Sequence, residues 1–251
     1  MEVFELTSSD FVIALLLFLG AILYTSVGHA GSSIYIAIMS IFGLAATVIK
    51  PTALVLNIFV SAFTSWRFLK AKFFDLKLFI PLAIGAIPMS FLGGSIELRS
   101  DVYKFIVGIL LVISGINFLV QFKPANLVHI KPPKFILALV VGALIGLLAG
   151  LTGTGGGIFL SPIALMLNWT AVKQISGTSA LFILVNSVFG LLGHVSSVSN
   201  LPSSLPIFVV AVLAGAVIGT RLGIKQFSNE MVKRALGVVL IIAGLKLVAG
   251  F

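Results

Sequence analysis

Ten apolar runs, separated by short polar stretches, set the plan of this chain. They fall at about 11–28, 32–44, 47–66, 78–96, 103–122, 135–152, 157–169, 172–193, 205–222 and 231–250. Several reach about 18–20 residues, enough for a helix to cross a hydrocarbon core roughly 30 Å thick. The runs are continuous. A transmembrane β-barrel would instead alternate apolar and polar positions over ~10-residue segments. The runs at 32–44 and 157–169 have only 13 residues each, the length range of a re-entrant or half-spanning helix. The pattern predicts an all-α polytopic membrane protein with about five apolar segments in each half.

Each short run follows a break. The second break is Gly150-Leu151-Thr152-Gly153-Thr154-Gly155-Gly156-Gly157, five of whose eight residues are glycine. Each glycine costs roughly 0.8–1 kcal/mol against alanine in a helix interior, so the helix should fail here. The bare backbone then lets peptide N–H groups approach a small ligand closely. Val27-Gly28-His29-Ala30-Gly31-Ser32-Ser33 is a weaker copy in the first half.

The two halves repeat. Gly153 follows Gly28, Gly156 follows Gly31, Pro206 follows Pro81 and Gly219 follows Gly94, each by 125 positions. After a four-residue insertion the offset becomes 129, relating Gly237 to Gly108, Gly244 to Gly115 and Lys233 to Lys104. The expected organisation is a first transmembrane repeat over 1–122, a cytoplasmic connector over 123–134 and a second repeat over 135–251. The connector carries His129 and the Lys-Pro and Pro-Pro pairs of a loop. The halves should act as one unit, because the expected site lies between them.

Charge orients the repeats. With the first residue outside and the segments alternating, twelve cations fall inside: Arg67, Lys70, Lys72, Lys77, Lys123, Lys131, Lys134, Lys173, Arg221, Lys225, Lys233 and Arg234. Three fall outside: Lys50, Arg99 and Lys104. This is a strong positive-inside bias, and it puts both termini outside. The loop after the third run holds four cations, whereas its repeat-mate, His194 to Pro206, holds none. Equivalent loops therefore lie on opposite sides, and the repeats are inverted. Inverted repeats with interrupted helices mark secondary transporters that bind substrate near the midplane; a channel can share the symmetry.

Composition agrees and narrows the chemistry. The chain is 251 residues long, 59% hydrophobic and 9% charged, with mean hydropathy +1.24. A soluble domain carries about 25% charged residues. The net charge of +9 follows from the loop bias and is no nucleic-acid footprint. Without cysteine there is no disulfide, thiol chemistry or thiolate metal site. The N-terminal ten residues hold three acids and no Lys or Arg, unlike the basic n-region of a cleaved signal peptide, so the first apolar run is expected to stay in the mature protein.

The acids are Glu2, Glu5, Asp10, Asp75, Glu97, Asp101 and Glu230, none central in an apolar run. A cation transporter or carboxylate proton relay would place one there. A metalloenzyme or a Mg²⁺-dependent lipid transferase would need them too. The expectation is no enzyme, no metal and no cofactor, and an anionic cargo. At helix starts inside the membrane the first N–H groups lack intrahelical partners and favour an anion. Candidate binding residues are Gly28, His29, Gly31, Ser32 and Ser33 in the first break, and Thr152, Gly153, Thr154, Gly155, Gly156 and Gly157 in the second. The buried-segment polar residues Asn57, Thr178, Ser179 and Asn186 join them. His29 is the candidate for proton coupling, since imidazole titrates near neutral pH. The glycine cluster is not a nucleotide P-loop, for it lacks the Lys-Ser/Thr that follows one.

Gly150 to Pro162, followed by Gly177-Thr178-Ser179 and Asn186, resembles the sulfite exporter TauE/SafE family, also called the toluene sulfonate uptake permease family. The resemblance runs over the whole chain. It departs in the first half, where Gly28-His29-Ala30-Gly31-Ser32-Ser33 replaces a glycine triplet. It implies a bacterial inner-membrane permease for sulfite, a sulfonate or a related small anion. The family's glycine motif maps onto Gly153 to Gly157, and its Gly-Thr-Ser onto Gly177 to Ser179.

Overall fold

The computed structural model describes residues 7–120, 130–225 and 230–249. All regular elements among them are helical. They are α1 (Ser8–Ser26), α2 (Ser32–Ile41), α3 (Ala46–Lys70), α4 (Leu76–Ser95), α5 (Ser100–Val120), α6 (Phe135–Thr152), α7 (Gly157–Met166), α8 (Val172–Gly193), α9 (Leu205–Lys225) and α10 (Glu230–Ala249), with a 3₁₀ turn at Val195–Asn200. Most of the expected connector, with His129, lies outside the described residues.

Among the described residues, seven helices, α1, α3, α4, α5, α6, α8 and α9, contain stretches long and apolar enough to cross a membrane. The chain is an all-α, multi-pass membrane protein, and its surface reads accordingly. Large apolar side chains such as Phe11, Leu15, Ile84, Leu144 and Val210 are exposed, while Asn57, Ser61, Thr64, Ser187 and Thr220 are fully buried. Lipid accepts the first group, and the interior must satisfy the second.

The two short runs form α2 and α7, ten residues each, and both end in the same turn. Gly43 and Asn168 take left-handed conformations (φ +78° and +55°). Leu44 N–H donates to Met39 O at 3.0 Å, and Trp169 N–H to Ala164 O at 2.8 Å. This is the six-to-one closure of a Schellman turn. The backbone of the breaks recurs likewise: φ is +81° at Gly28 and +80° at Gly153, +105° at Gly31 and +82° at Gly156. Only glycine takes these angles without strain. α3 outruns its apolar stretch to Lys70, with Arg67 and Lys70 in its last turn, where cations favour the helix dipole.

Packing runs through small residues. α4 lies on α6, α1 on α9, α5 on α10, and α8 on both α3 and α4. A Cβ at Gly142, Gly146 or Gly150 of α6 would come within 2.4 Å of the α4 carbonyls of Leu82, Ala86 and Ser90. Such backbone approach is how helices associate where burying apolar surface brings no gain over lipid. Gly108 lies against Gly244 and Gly115 against Gly237, so α5 and α10 run antiparallel.

The two breaks and their surroundings

α1 ends at Ser26, capped by Val27, and α2 starts after Gly31; α6 ends at Thr152, capped by Gly153, and α7 starts after Gly156. The fold brings these two breaks into contact in the interior. His29 Nε2 lies 3.0 Å from Gly157 O, and Ser32 Oγ donates to Thr154 O at 2.5 Å. Thr152 Oγ1 and Thr154 Oγ1 are 2.9 Å apart. Residues 28–33 and 152–157 are all buried.

The hydrogen bonding around the second break is lopsided. Three of its carbonyls are taken: Thr152 O accepts from Tyr103 Oη (3.0 Å), Thr154 O from Ser32, and Gly157 O from His29. Past Gly153, whose N–H donates to Ala149 O at 2.8 Å, its N–H groups are not. Bonding resumes with Phe159 and Leu160, both donating to Gly156 O. Among the described residues, no backbone carbonyl accepts from the N–H groups of Gly155, Gly156, Gly157 or Ile158. Buried backbone donors nearly always find a partner. A buried cluster of unused N–H groups at a helix start is a preference for negative charge.

The first break has more side chain and more internal bonding. His29 N–H donates to Tyr24 O (3.0 Å) and Gly28 N–H to Thr25 O (3.2 Å). Tyr35 Oη donates to Ala30 O at 2.6 Å. His29 Nδ1 is 3.3 Å from Val27 O, so both ring nitrogens face carbonyls. A neutral imidazole donates only once, so the 3.0 Å contact to Gly157 O is the stronger claim on its proton. The Tyr24 and His29 rings meet edge to face.

Of the two buried amides, Asn57 borders the second break, and Asn186 is next in the chain to Ser187, which also borders it. Asn57 Nδ2 donates to Ser187 Oγ at 3.3 Å, and a Cβ on Gly155 would be 2.7 Å from that nitrogen. Asn57 Oδ1 and both polar side-chain atoms of Asn186 are buried without a hydrogen-bond partner. Leaving such groups unpaired costs about 1–3 kcal/mol each, which a polar cargo or water would offset.

The other expected site residues separate. Gly177 and Thr178 face the turn between α3 and α4. A Cβ at Gly177 would overlap Phe73 O. Thr178 Oγ1 accepts from Asp75 N–H (3.0 Å) and donates to Gln174 O (2.9 Å). Ser179 Oγ pairs with Ser161 Oγ of α7 at 2.8 Å. The Gly-Thr-Ser triplet thus joins helices on two sides of α8, and Thr178 sits apart from the breaks. Residues not expected from the sequence are Tyr103, Ser187, Ser161 and Lys50, whose Cγ would be 3.4 Å from a Cβ on Gly153. Ser187 adjoins Asn186, so a polar pair within an apolar run was the available signal. Nothing local marks Tyr103, whose partner is 49 positions away.

The profile of the sulfite exporter TauE/SafE family matches residues 12–247. Among curated proteins, the chain is 40% identical over 238 residues to "Probable membrane transporter protein y4hK" of Sinorhizobium fredii, covering 94% of this chain and 96% of that one. It is 26% identical over 261 residues to "Probable membrane transporter protein YjnA" of Bacillus subtilis, covering 94% and 98%. It is 24% identical over 219 residues to "Probable membrane transporter protein YunE" of the same organism, covering 78% and 79%. No solved structure matches.

Proposed function

The chain belongs to the sulfite exporter TauE/SafE family, and from that membership and the meeting of the breaks we propose that it exports sulfite or a small organosulfonate. The family and the curated relatives point to a membrane transporter rather than an enzyme. Transport is secondary-active and crosses the bacterial inner membrane, with both termini outside. The anion binds between the breaks, near the midplane. The N–H groups of Gly155 to Ile158 and of Gly31 to Ser33 hold its oxygens. Thr152, Thr154, Asn57 and Asn186 supply further polar contacts.

One observation carries this reading: three carbonyls of the second break, those of Thr152, Thr154 and Gly157, are occupied by donors from Tyr103, Ser32 and His29, while the N–H groups of Gly155 to Ile158 have no backbone partner. Satisfying acceptors and sparing donors leaves a locally positive surface without a formal charge. Such a surface suits an oxyanion and repels a metal cation. The recurrence of left-handed positions at an offset of 125 and the antiparallel course of α5 and α10 support two inverted repeats. Each repeat then contributes one break, and rocking of one repeat on the other alternates access. His29 links the breaks and is the residue proposed to carry a coupling proton.

The test is ligand-dependent heat stability of the purified protein over sulfite, sulfoacetate, taurine and sulfate. Sulfite or a sulfonate should raise the melting temperature, and Gly156→Val should abolish the rise. In proteoliposomes the flux should saturate and respond to an opposing gradient. Single-channel currents would replace the carrier with an anion channel. No shift with any of these anions would overturn the anion assignment.

A further inference from the structure

Lys50 is a lysine inside a membrane protein, and it has no acid for a partner. It lies in α3 and is only 5% exposed. Its Nζ donates to Gly94 O (3.1 Å) and Ile96 O (3.3 Å) at the end of α4. Among the described residues the sole ion pair is Arg99 with Asp101. A buried cation held by two carbonyls, with the Glu97 charge acting on it but no ion pair formed, is only partly compensated. Beside it is His194, the residue after α8, 6% exposed and with Nδ1 lacking any hydrogen-bond partner. The Gly94 backbone lies against His194 as well as Lys50. The stem and carbonyl of Lys50 border Gly153, the first residue of the second break to leave the helix. Helices α3, α4 and α8 thus bring together a buried ammonium and an imidazole that bonds the Gly94 backbone but leaves Nδ1 without a partner, next to the proposed anion path.

We propose that Lys50 and His194 form a second binding subsite for a small oxyanion, at the end of the second break that the loop charges assign to the outside. The subsite complements the anion reading of the breaks but is separable from it. An oxyanion there receives a charge-assisted hydrogen bond from Lys50 Nζ, roughly twice as strong as a neutral one. It receives a second from the unused His194 nitrogen. The charges facing His194 are Lys50 from α3 and Glu97 after α4. The 3₁₀ turn that follows it, Val195–Asn200, carries none. Burial first, and then the Lys50 charge, hold the His194 imidazole down at about 4. An anion between the two groups cancels the second of these, so anion arrival draws a proton onto His194. The subsite therefore couples anion binding to proton uptake through charge.

The experiment is a histidine titration by nuclear magnetic resonance on the full-length protein, isotope-labelled at His29, His129 and His194 only. The probe is methanesulfonate, which stays a monoanion throughout. The resonance missing from His194→Gln is His194; if that variant does not fold, His29→Gln and His129→Gln assign it by elimination. Saturating methanesulfonate should raise the His194 midpoint by about one unit or more, a roughly tenfold gain in proton affinity. Lys50→Arg should keep this response and Lys50→Gln should remove it. If methanesulfonate stabilises the protein to heat but leaves the His194 midpoint unmoved, the proposal is wrong and Lys50 only caps the end of α4. The same measurement in Gly156→Val separates the two sites. A His194 response that survives there supports the subsite even as binding at the breaks is lost. If methanesulfonate and the sulfite panel move neither heat stability nor His194, both proposals fall.

Discussion

The two breaks share a backbone and differ in everything attached to it. Gly28 and Gly153 have nearly the same φ and Gly31 and Gly156 are both left-handed, although Gly155 is left-handed where its repeat-mate Ala30 is not. Yet the first break is furnished with His29, Ser32 and Ser33, backed by Tyr24 and Tyr35, and the second is mostly glycine. The difference is a division of labour. Donors from the furnished break reach across and occupy the carbonyls of the bare one, at Thr154 and Gly157. The bare break keeps the N–H groups of Gly155 to Ile158, with side chains closely around them: a Cβ at Gly155, Gly156 or Gly157 would come within 2.8 Å of Asn57, Ile145 or Ile183. Two identical bare breaks would leave carbonyls and N–H groups equally unused, and the local field would cancel. Asymmetry between the halves is thus what turns a repeated backbone into an anion-selective surface.

The largest expected effect separates the breaks by their surroundings. Alanine at Gly28 or at Gly153 incurs the same left-handed strain, about 1–2 kcal/mol. At Gly28 the new Cβ would also come 2.4 Å from Ser176 Cβ and 2.6 Å from its Cα, whereas at Gly153 the nearest atom is Lys50 O at 3.2 Å. Overpacking adds roughly 1–3 kcal/mol. Gly28→Ala should therefore lower the melting temperature two- to three-fold more than Gly153→Ala, measured side by side in detergent. Equal losses would mean that Gly28 is as loosely surrounded as Gly153.

Asn186→Leu probes the orphan amide of α8, next in the chain to Ser187, which borders the bare break. Both of its polar atoms are buried without partners, so an apolar side chain of similar size relieves an uncompensated cost of about 1–3 kcal/mol. The variant should melt higher than the parent and transport more slowly. A variant that melts lower would show that the amide has a partner in the resting protein, and that it serves packing instead of cargo.

Ser32→Ala removes one crossing donor. Thr154 O then loses its partner, and a net loss of about 1 kcal/mol in stability is expected. Anion affinity should fall about five- to tenfold, because an unoccupied carbonyl beside the unused N–H groups weakens their field. Isothermal titration with the stabilising anion reads this directly. An unchanged affinity would detach the furnished break from the anion's electrostatics.

Much of this was legible in the chain, for reasons that differ by feature. All ten apolar runs became helices, because continuous apolar stretches between polar loops have few other outcomes in lipid. The breaks were legible since consecutive glycines oppose a helix whatever surrounds them. The placement of His29 against Gly157, 128 positions away, was not, for no local pattern encodes which carbonyl a ring will meet. Thr178 shows the converse. A polar residue in a buried helix suggested a site, yet its hydroxyl ties α8 to the turn at Asp75, and both roles look alike in sequence. Lys50 read as a loop cation because α3 starts at Ala46, only four residues earlier. Its burial depends on α4 and α8 closing over it.

The smallest expected effect compares the two histidines near the breaks. His29 is bonded to the carbonyl of Gly157. His194 has a free nitrogen and is held down from an ordinary 6.5 to about 4, first by burial and then by the Lys50 charge. A histidine whose folded value is depressed favours the folded state while it stays neutral. Its contribution is complete above the unfolded value and is lost as the pH falls from about 6.5 towards about 4. Without anion, the melting temperature should therefore drop between pH 7 and pH 5, and His194→Gln should flatten part of that drop. Methanesulfonate should flatten it as well, since a bound anion raises the folded value towards the unfolded one. If His29→Gln flattens the slope and His194→Gln leaves it unchanged, the titrating group lies in the furnished break, and the proton belongs to the crossing of the two breaks instead of the outer subsite.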